Sequence, residues 1–278
     1  MKTPRWSRTV VLFSVSILPF TLCISAARAN PHPLAFTYPS ETLAKEAVEL
    51  EQYIDVTPVR SIDTSGAETW FPRTVLTTEL EIGLTDKLEL GLYLQSETES
   101  GSSTGDNPLI LDGVKQRLRY RLADPGAWPV DVALYLELAE LHDELELEGK
   151  IILQRRFGRV RAMVNLWGER EFYFTGEREW VLNPTGGVTM ELTPSWHVGI
   201  ESWMHAEYSD SPPPTLVSPR YVDINRAAVV YVGPNLMWQR GRTWVTFAPY
   251  VRVDRPDRPS VQYDIYGRYF LRMIVGFE

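Results

Sequence analysis

From Gly83 onward, polar and apolar residues alternate with a period of two. Leu88, Leu90, Leu92 and Leu94 fall on one side of a segment, with Glu89, Gly91, Tyr93 and Gln95 on the other. A helix cannot place residues i, i+2 and i+4 on one face, so this spacing predicts a strand. The same alternation recurs around 114–122, 130–139, 147–154, 160–167, 188–192, 197–205, 226–239, 243–251 and 264–277. Two earlier segments, at 46–58 and 70–82, also fit, which makes twelve predicted strands. Short turns at 83–87, 123–129, 157–159, 193–196 and 240–242 alternate with connections that are mostly longer, at 61–69, 97–112, 209–223 and 254–263. Tight ends alternating with loose ones around an even number of antiparallel strands predict an all-β, transmembrane, up-and-down antiparallel β-barrel of about 12 strands.

Alternation alone does not say which face is wet. A soluble periplasmic β-barrel binding a small ligand would turn its leucines inward, whereas a membrane barrel turns them toward lipid and its charges toward the lumen. Strands of this length, tilted as barrel strands are, cross an apolar band of about 25 Å. Aromatic residues gather near the predicted strand ends: Trp70 and Phe71, Trp128, Phe172 to Phe174, Trp180, Trp196, Tyr208, Trp238, Trp244 and Tyr250. The last strand carries Tyr269, Leu271, Met273, Val275 and Phe277 on one face. It resembles the aromatic-ending strand through which the barrel-assembly machinery recognises outer-membrane proteins, with the departure that Glu278 follows Phe277. The longest uncharged run after Ala29, Ala227 to Gln239, is too short for a membrane helix.

The first 29 residues read as a secretory signal peptide. Lys2, Arg5 and Arg8 precede an apolar run from Val10 to Ser25, and Ala27-Arg28-Ala29 fits cleavage after Ala29. The expected organisation is therefore a signal peptide at 1–29, a flexible N-terminal leader at 30–45 and an outer-membrane barrel at 46–278; for the proline-rich, uncharged stretch from Asn30 to Tyr38 the alternatives to a flexible leader are a plug of the barrel and a tether to the periplasm. The 278-residue chain has a formal charge of −8. Removing the signal peptide takes away four basic residues and no acid. Such an acidic balance argues against a nucleic-acid partner. The single cysteine, Cys23, leaves with the signal peptide, so a closed sheet rather than disulfides must hold the exported chain.

Several phrases carry a family resemblance: Ser40-Glu41-Thr42-Leu43-Ala44-Lys45 leading into Glu49-Leu50-Glu51, the run from Glu81 through Gly83-Leu84-Thr85-Asp86 to Leu92, Gly233-Pro234, and the turn at Arg240 to Arg242. Together they resemble the bacterial outer-membrane family labelled "MetA-pathway of phenol degradation". Members usually have Gly in the opening phrase where this chain has Glu46. The resemblance implies a twelve-stranded barrel with a role in solute passage.

The candidate solute path is the set of charged residues on the inward parity: Glu79, Glu81, Glu89, Lys115, Arg117, Arg119, Arg121, Asp131, Glu137, Arg161, Glu201 and His205. Lys115, Arg117, Arg119 and Arg121 form a basic ladder that either draws anions or is filled by cross-strand acids. The turn at 123–128 predicts Arg121 near Asp131 and Lys115 near Glu137. Glu81 and Glu89 flank one turn, where such a pair either binds a cation or shares a proton, or has the structural role expected here, solvated or neutralised by an arginine such as Arg121. His197, Glu201 and His205 share a face but stand roughly 13 Å apart at steps of four, too far to hold one metal. Ser202 and His205 fall on opposite faces and no G-x-S-x-G elbow exists, so neither catalysis nor a cofactor is expected. The functional expectation is a channel or facilitator for small solutes in the outer-membrane lipid. The alternatives are a non-conducting structural or binding barrel acting through its outer loops, and the soluble ligand-binding barrel.

Overall fold

The computed structural model describes residues 30–62, 68–98, 108–210, 228–254 and 267–278. The expected signal peptide at 1–29 lies outside these residues, as do most of the long connections at 96–112, 209–223 and 254–263. Thirteen strands form one antiparallel sheet. They are β1 (Val48–Ile62), β2 (Glu68–Gly83), β3 (Leu88–Thr98), β4 (Leu109–Arg121), β5 (Asp131–Leu141), β6 (Glu144–Phe157), β7 (Val160–Tyr173), β8 (Arg178–Leu182), β9 (Thr185–Thr193), β10 (Trp196–Ser209), β11 (Val229–Arg240), β12 (Thr243–Arg252) and β13 (Tyr269–Phe277). β1 pairs with both β2 and β13, which closes the sheet into a barrel with no free edge.

The barrel has twelve strand positions, because β8 and β9 share one: each lies between β7 and β10. The break falls at Asn183-Pro184, where proline has no N–H to give the ladder. Both described chain ends lie at the short-turn end, since Leu50 pairs with Phe277.

The parity read from the sequence sorts the faces as a membrane barrel does. Leu50, Leu92, Leu118, Leu136, Ile151, Leu166, Ile200 and Phe247 are all exposed on the outer surface. Exposed Trp128, Phe157, Trp196 and Phe277 ring the short-turn end, and Phe172, Phe174, Trp180, Tyr208 and Tyr269 ring the other. At that second ring the Arg170 hydrogen bond holds the Asp210 carboxyl below its ordinary range. Trp244 and Tyr250 depart from the expected girdle. They share the inward parity of Thr246 and Ala248, and Trp244 donates to the Glu49 carboxylate. Both faces of β12 are largely apolar, so alternation there carries no signal for direction.

Of residues 30–45, expected as a flexible leader, the stretch from Asn30 to Leu43 runs inside the lumen, and Ala44 and Lys45 are exposed at its mouth. Leu34 and Thr37 are fully buried, and Leu43 is nearly so. A strand ladder is not available to this stretch, so wall side chains take its backbone groups. Pro31, Pro33 and Pro39 remove three N–H donors that would otherwise need partners and narrow the unfolded alternatives.

Candidate functional site: the lumen and its inserted segment

The inserted segment enters from the short-turn end, crosses the lumen and returns to β1. Its turning point is held by one carboxylate. Glu201 on β10 accepts from the N–H of Ala35 (3.0 Å), Phe36 (3.0 Å) and Thr37 (2.5 Å), from the Thr37 hydroxyl (2.6 Å), and from the Tyr250 hydroxyl. Asn235 accepts a second bond from the Ala35 N–H (2.9 Å). The Phe36 ring stacks on Trp203 (centroids 4.5 Å), which stacks on Tyr231 (4.4 Å), with Tyr250 and Phe270 edge-on or tilted around them. The Arg272 guanidinium caps Phe36 at 3.8 Å while paired with Asp55 (2.5 Å). Leu34 fits only because its wall neighbours are glycine: a Cβ at Gly187 or Gly199 would stand 2.7 or 2.8 Å from it.

Beyond Phe36, the Tyr38 N–H donates to Asn165 Oδ1 (2.7 Å), whose Nδ2 returns a bond to the Tyr38 carbonyl (3.1 Å). The Tyr38 ring tilts against Tyr135 (5.5 Å) with Lys150 above it at 4.6 Å. The Leu43 N–H donates to Glu89 Oε2 (2.7 Å). At Glu46 the backbone adopts φ 66, a left-handed conformation, and the Glu46 N–H donates to the Gly83 carbonyl (2.8 Å) to feed the chain into β1.

On the wall formed by β1 to β4, five carboxylates and two guanidiniums are fully buried or nearly so: Glu49, Glu51, Glu79, Glu81 and Glu89 with Arg117 and Arg119. Arg117 donates through Nε to Glu79 (2.8 Å) and the Tyr93 hydroxyl (2.5 Å), through Nη1 to Glu89 (2.6 Å), and through Nη2 to Glu81. Arg119 donates to Glu89 Oε2 (2.9 Å). Gly91 makes this possible, because a Cβ there would lie 2.6 Å from Arg117 Nε.

The predicted lumen residues divide by what they touch. Glu79, Glu81, Glu89, Arg117 and Arg119 form the lattice just described. Lys115 stands opposite Ala139 rather than Glu137 in the register, and reaches Glu137 diagonally (3.7 Å) and also Glu146 (3.2 Å). Glu201 holds the segment, and Arg161 reaches its Glu41 (3.7 Å). His205 bridges Asn183 (2.6 Å) and Glu207 (2.6 Å).

Two expected pairings are corrected. Arg121 stands opposite Ala133 in the register and turns to Asp124 (3.3 Å) and the Asp86 carbonyl (2.8 Å), whereas Asp131 accepts the Gly126 N–H (2.6 Å) inside its own turn. Glu81 and Glu89 are accordingly neutralised by Arg117 and Arg119, not by Arg121. Glu49 and Glu51 were legible by the same parity rule that found Glu79 and Glu81. The acceptor roles of Asn165 and Asn235 had no signal, because their donors come from a distant part of the chain.

Space remains on both sides of the segment. A cavity of ≈ 700 Å³ opens at the short-turn end, lined by Arg156, Arg161, Glu191 and His197. A smaller one of ≈ 110 Å³ lies among Tyr93, Lys115, Tyr135, Glu148, Lys150 and Trp167.

No family model and no curated protein matches this chain. Among solved structures it is similar to an outer membrane channel from Pseudomonas putida F1, at 12% identity and a TM-score of 0.58, over 86% of this chain and 97% of that one. It is also similar to the NanC porin, at 9% identity and a TM-score of 0.52, over 84% of this chain and the whole of that one. The fold is therefore the porin-like barrel: closed, antiparallel and twelve positions around.

Proposed function

We propose that this chain is an outer-membrane channel for small solutes whose lumen is constricted by its own residues 30–45. The observation that carries this reading is the sorting of the two barrel faces. A leucine-rich exterior between two aromatic rings surrounds an interior lined with ions on every described strand position from β1 to β7. The structural likeness to channels supports the same reading, as does the resemblance to the "MetA-pathway of phenol degradation" family: Glu46, where members usually have Gly, is the described non-glycine residue with positive φ.

Export through a leader cleaved after Ala29 belongs to this proposal. A free amino group at Asn30 would sit on Glu49 Oε2, where the Asn30 N–H now stands at 3.0 Å. The partners proposed are outer-membrane lipid and, through β13, the assembly machinery. Catalysis is not part of the proposal, since Ser202 and His205 lie on opposite faces and His205 is engaged by Asn183 and Glu207.

The test is single-channel recording of the folded full chain in planar bilayers. Discrete current steps are expected. A heat-modifiable, membrane-inserted barrel that gives no current would overturn the channel reading. It would favour instead the non-conducting structural barrel, which the packed cross-section at Tyr38, Arg117 and Arg119 supports.

A further inference from the structure

The inserted segment brings His32 against Glu51 of β1 and Glu81 of β2. One ring nitrogen of His32 and one carboxylate oxygen of each glutamate lie within 4.8 Å of one another. The His32 residue is 2% exposed and the two glutamates 0%. His32 Nε2, Glu51 Oε1 and Glu81 Oε2 are buried and have no hydrogen-bond partner among the described residues. His32 Nε2 stands 3.8 Å from Glu51 Oε1, beyond hydrogen-bond reach. Ligands held about 2 Å from a common ion stand roughly 3–4 Å from each other, so the gap suits a shared cation.

The surroundings orient these atoms as ligands. The Tyr53 hydroxyl holds Glu51 through Oε2 (2.5 Å), and Arg117 holds Glu81 through Oε1, which leaves Glu51 Oε1 beside His32 and Glu81 Oε2 without a hydrogen bond. The Thr246 hydroxyl donates to the His32 carbonyl, and the imidazole stacks on Trp244 at 5.5 Å. Such outer contacts fix ligand orientation at metal sites. Charge points the same way. Glu49 accepts from Trp244 and Asn30, and the four carboxyl groups of Glu51, Glu79, Glu81 and Glu89 share two fixed cations, Arg117 and Arg119, in a closed interior. Arg119 stays on Glu89 and stands 3.9 Å from Glu81 Oε2.

We infer that His32, Glu51 and Glu81 form a binding site for one divalent transition-metal ion, of which zinc is the reference, and that this ion ties the inserted segment to the barrel wall. An imidazole with two carboxylates suits zinc and its first-row neighbours, whereas calcium and magnesium take oxygen ligands alone. Glu51 and Glu81 sit on paired strands and His32 joins them only when the segment is docked, so the ion stabilises the docked state by mass action. The inference does not depend on whether the lumen conducts.

The experiment uses the folded full chain in detergent, stripped with chelator, dialysed against buffered zinc and analysed for bound metal. About one zinc per chain is expected, together with a rise in the temperature at which the heat-modifiable band unfolds. His32→Ala and Glu51→Gln are expected to lose the zinc. Glu171→Gln, which alters the separate all-carboxylate group of Glu144, Glu146 and Glu171, is expected to keep it. His32 lies on the segment and not on a strand, so His32→Ala tests the site without breaking the barrel, and its folding is read on the same gel. Absence of zinc from the wild-type chain would overturn the inference, the carboxylates then sharing protons instead. Zinc retained undiminished by His32→Ala would overturn it equally.

Discussion

The two walls that grip the inserted segment do so by different physics. The β10 to β13 wall encloses Phe36 in stacked aromatic rings and spends one carboxylate, Glu201, on four donors of the segment. The β1 to β4 wall is a lattice of buried ions paired with one another, to which Leu43 and His32 of the segment are added. The aromatic wall holds by buried area and backbone satisfaction, so its grip weakens gradually as contacts are removed. The ionic wall holds by shared ion pairs, so removing one partner strands several others. A segment clasped in both ways is fixed at its turning point by Glu201 and at its return by the lattice.

The largest effect is expected at Arg117. Arg117→Ala leaves Glu79, Glu81 and Glu89 without their shared cation and should destabilise the barrel by about 3–5 kcal/mol, read as a lower temperature for loss of the folded gel band. Arg117→Lys should rescue little, because a point charge cannot make the forked bonds. An unchanged unfolding temperature would mean that the lattice is not a unit. On the other wall Phe36→Ala should cost about 3 kcal/mol of docking through lost packing. The readout is faster proteolysis of residues 30–45 with the barrel intact. Proteolysis equal to wild type would remove the aromatic grip from the account.

Glu201→Gln keeps an acceptor but loses the charge, so about 1–2 kcal/mol is expected in the same proteolysis assay, less than for Phe36→Ala. The smallest effect should be a gain. Glu46→Gly relieves a left-handed backbone and is expected to stabilise by about 1 kcal/mol in chemical denaturation, whereas Glu46→Val should destabilise. If both substitutions behave alike, the turn into β1 is not strained.

The barrel wall was legible because a period of two is local. Glu79, Glu81, Arg117 and Arg119 announce their face through their leucine neighbours, whatever the distant partner. Register was less legible. Moving a partner by one pair sends Arg121 to Ala133 and gives Glu137 to Arg117 in the backbone ladder, and only the turn at 122–130 decides this. The split of one strand position at Asn183-Pro184 was hidden because Trp180 and Val181 fit equally well in a loop or a five-residue strand. The inserted segment left only a compositional trace, a proline-rich and uncharged stretch from Asn30 to Tyr38 that suits a plug and a flexible leader alike. Residues 30–45 have no period, and Thr37 meets Glu201 across 164 positions, so the acceptors that make the lumen a home for that backbone cannot be found from spacing. The metal ligands proposed above were hidden for the same reason: they come from a proline-rich leader and two separate strands.

The central claim is that residues 30–45 constrict a conducting lumen. Its most direct test is the single-channel conductance of the full chain beside that of a variant lacking residues 31–40, both shown to be heat-modifiable barrels. The account predicts discrete steps from the full chain and severalfold larger steps from the shortened one. Equal conductance in the two proteins would contradict it.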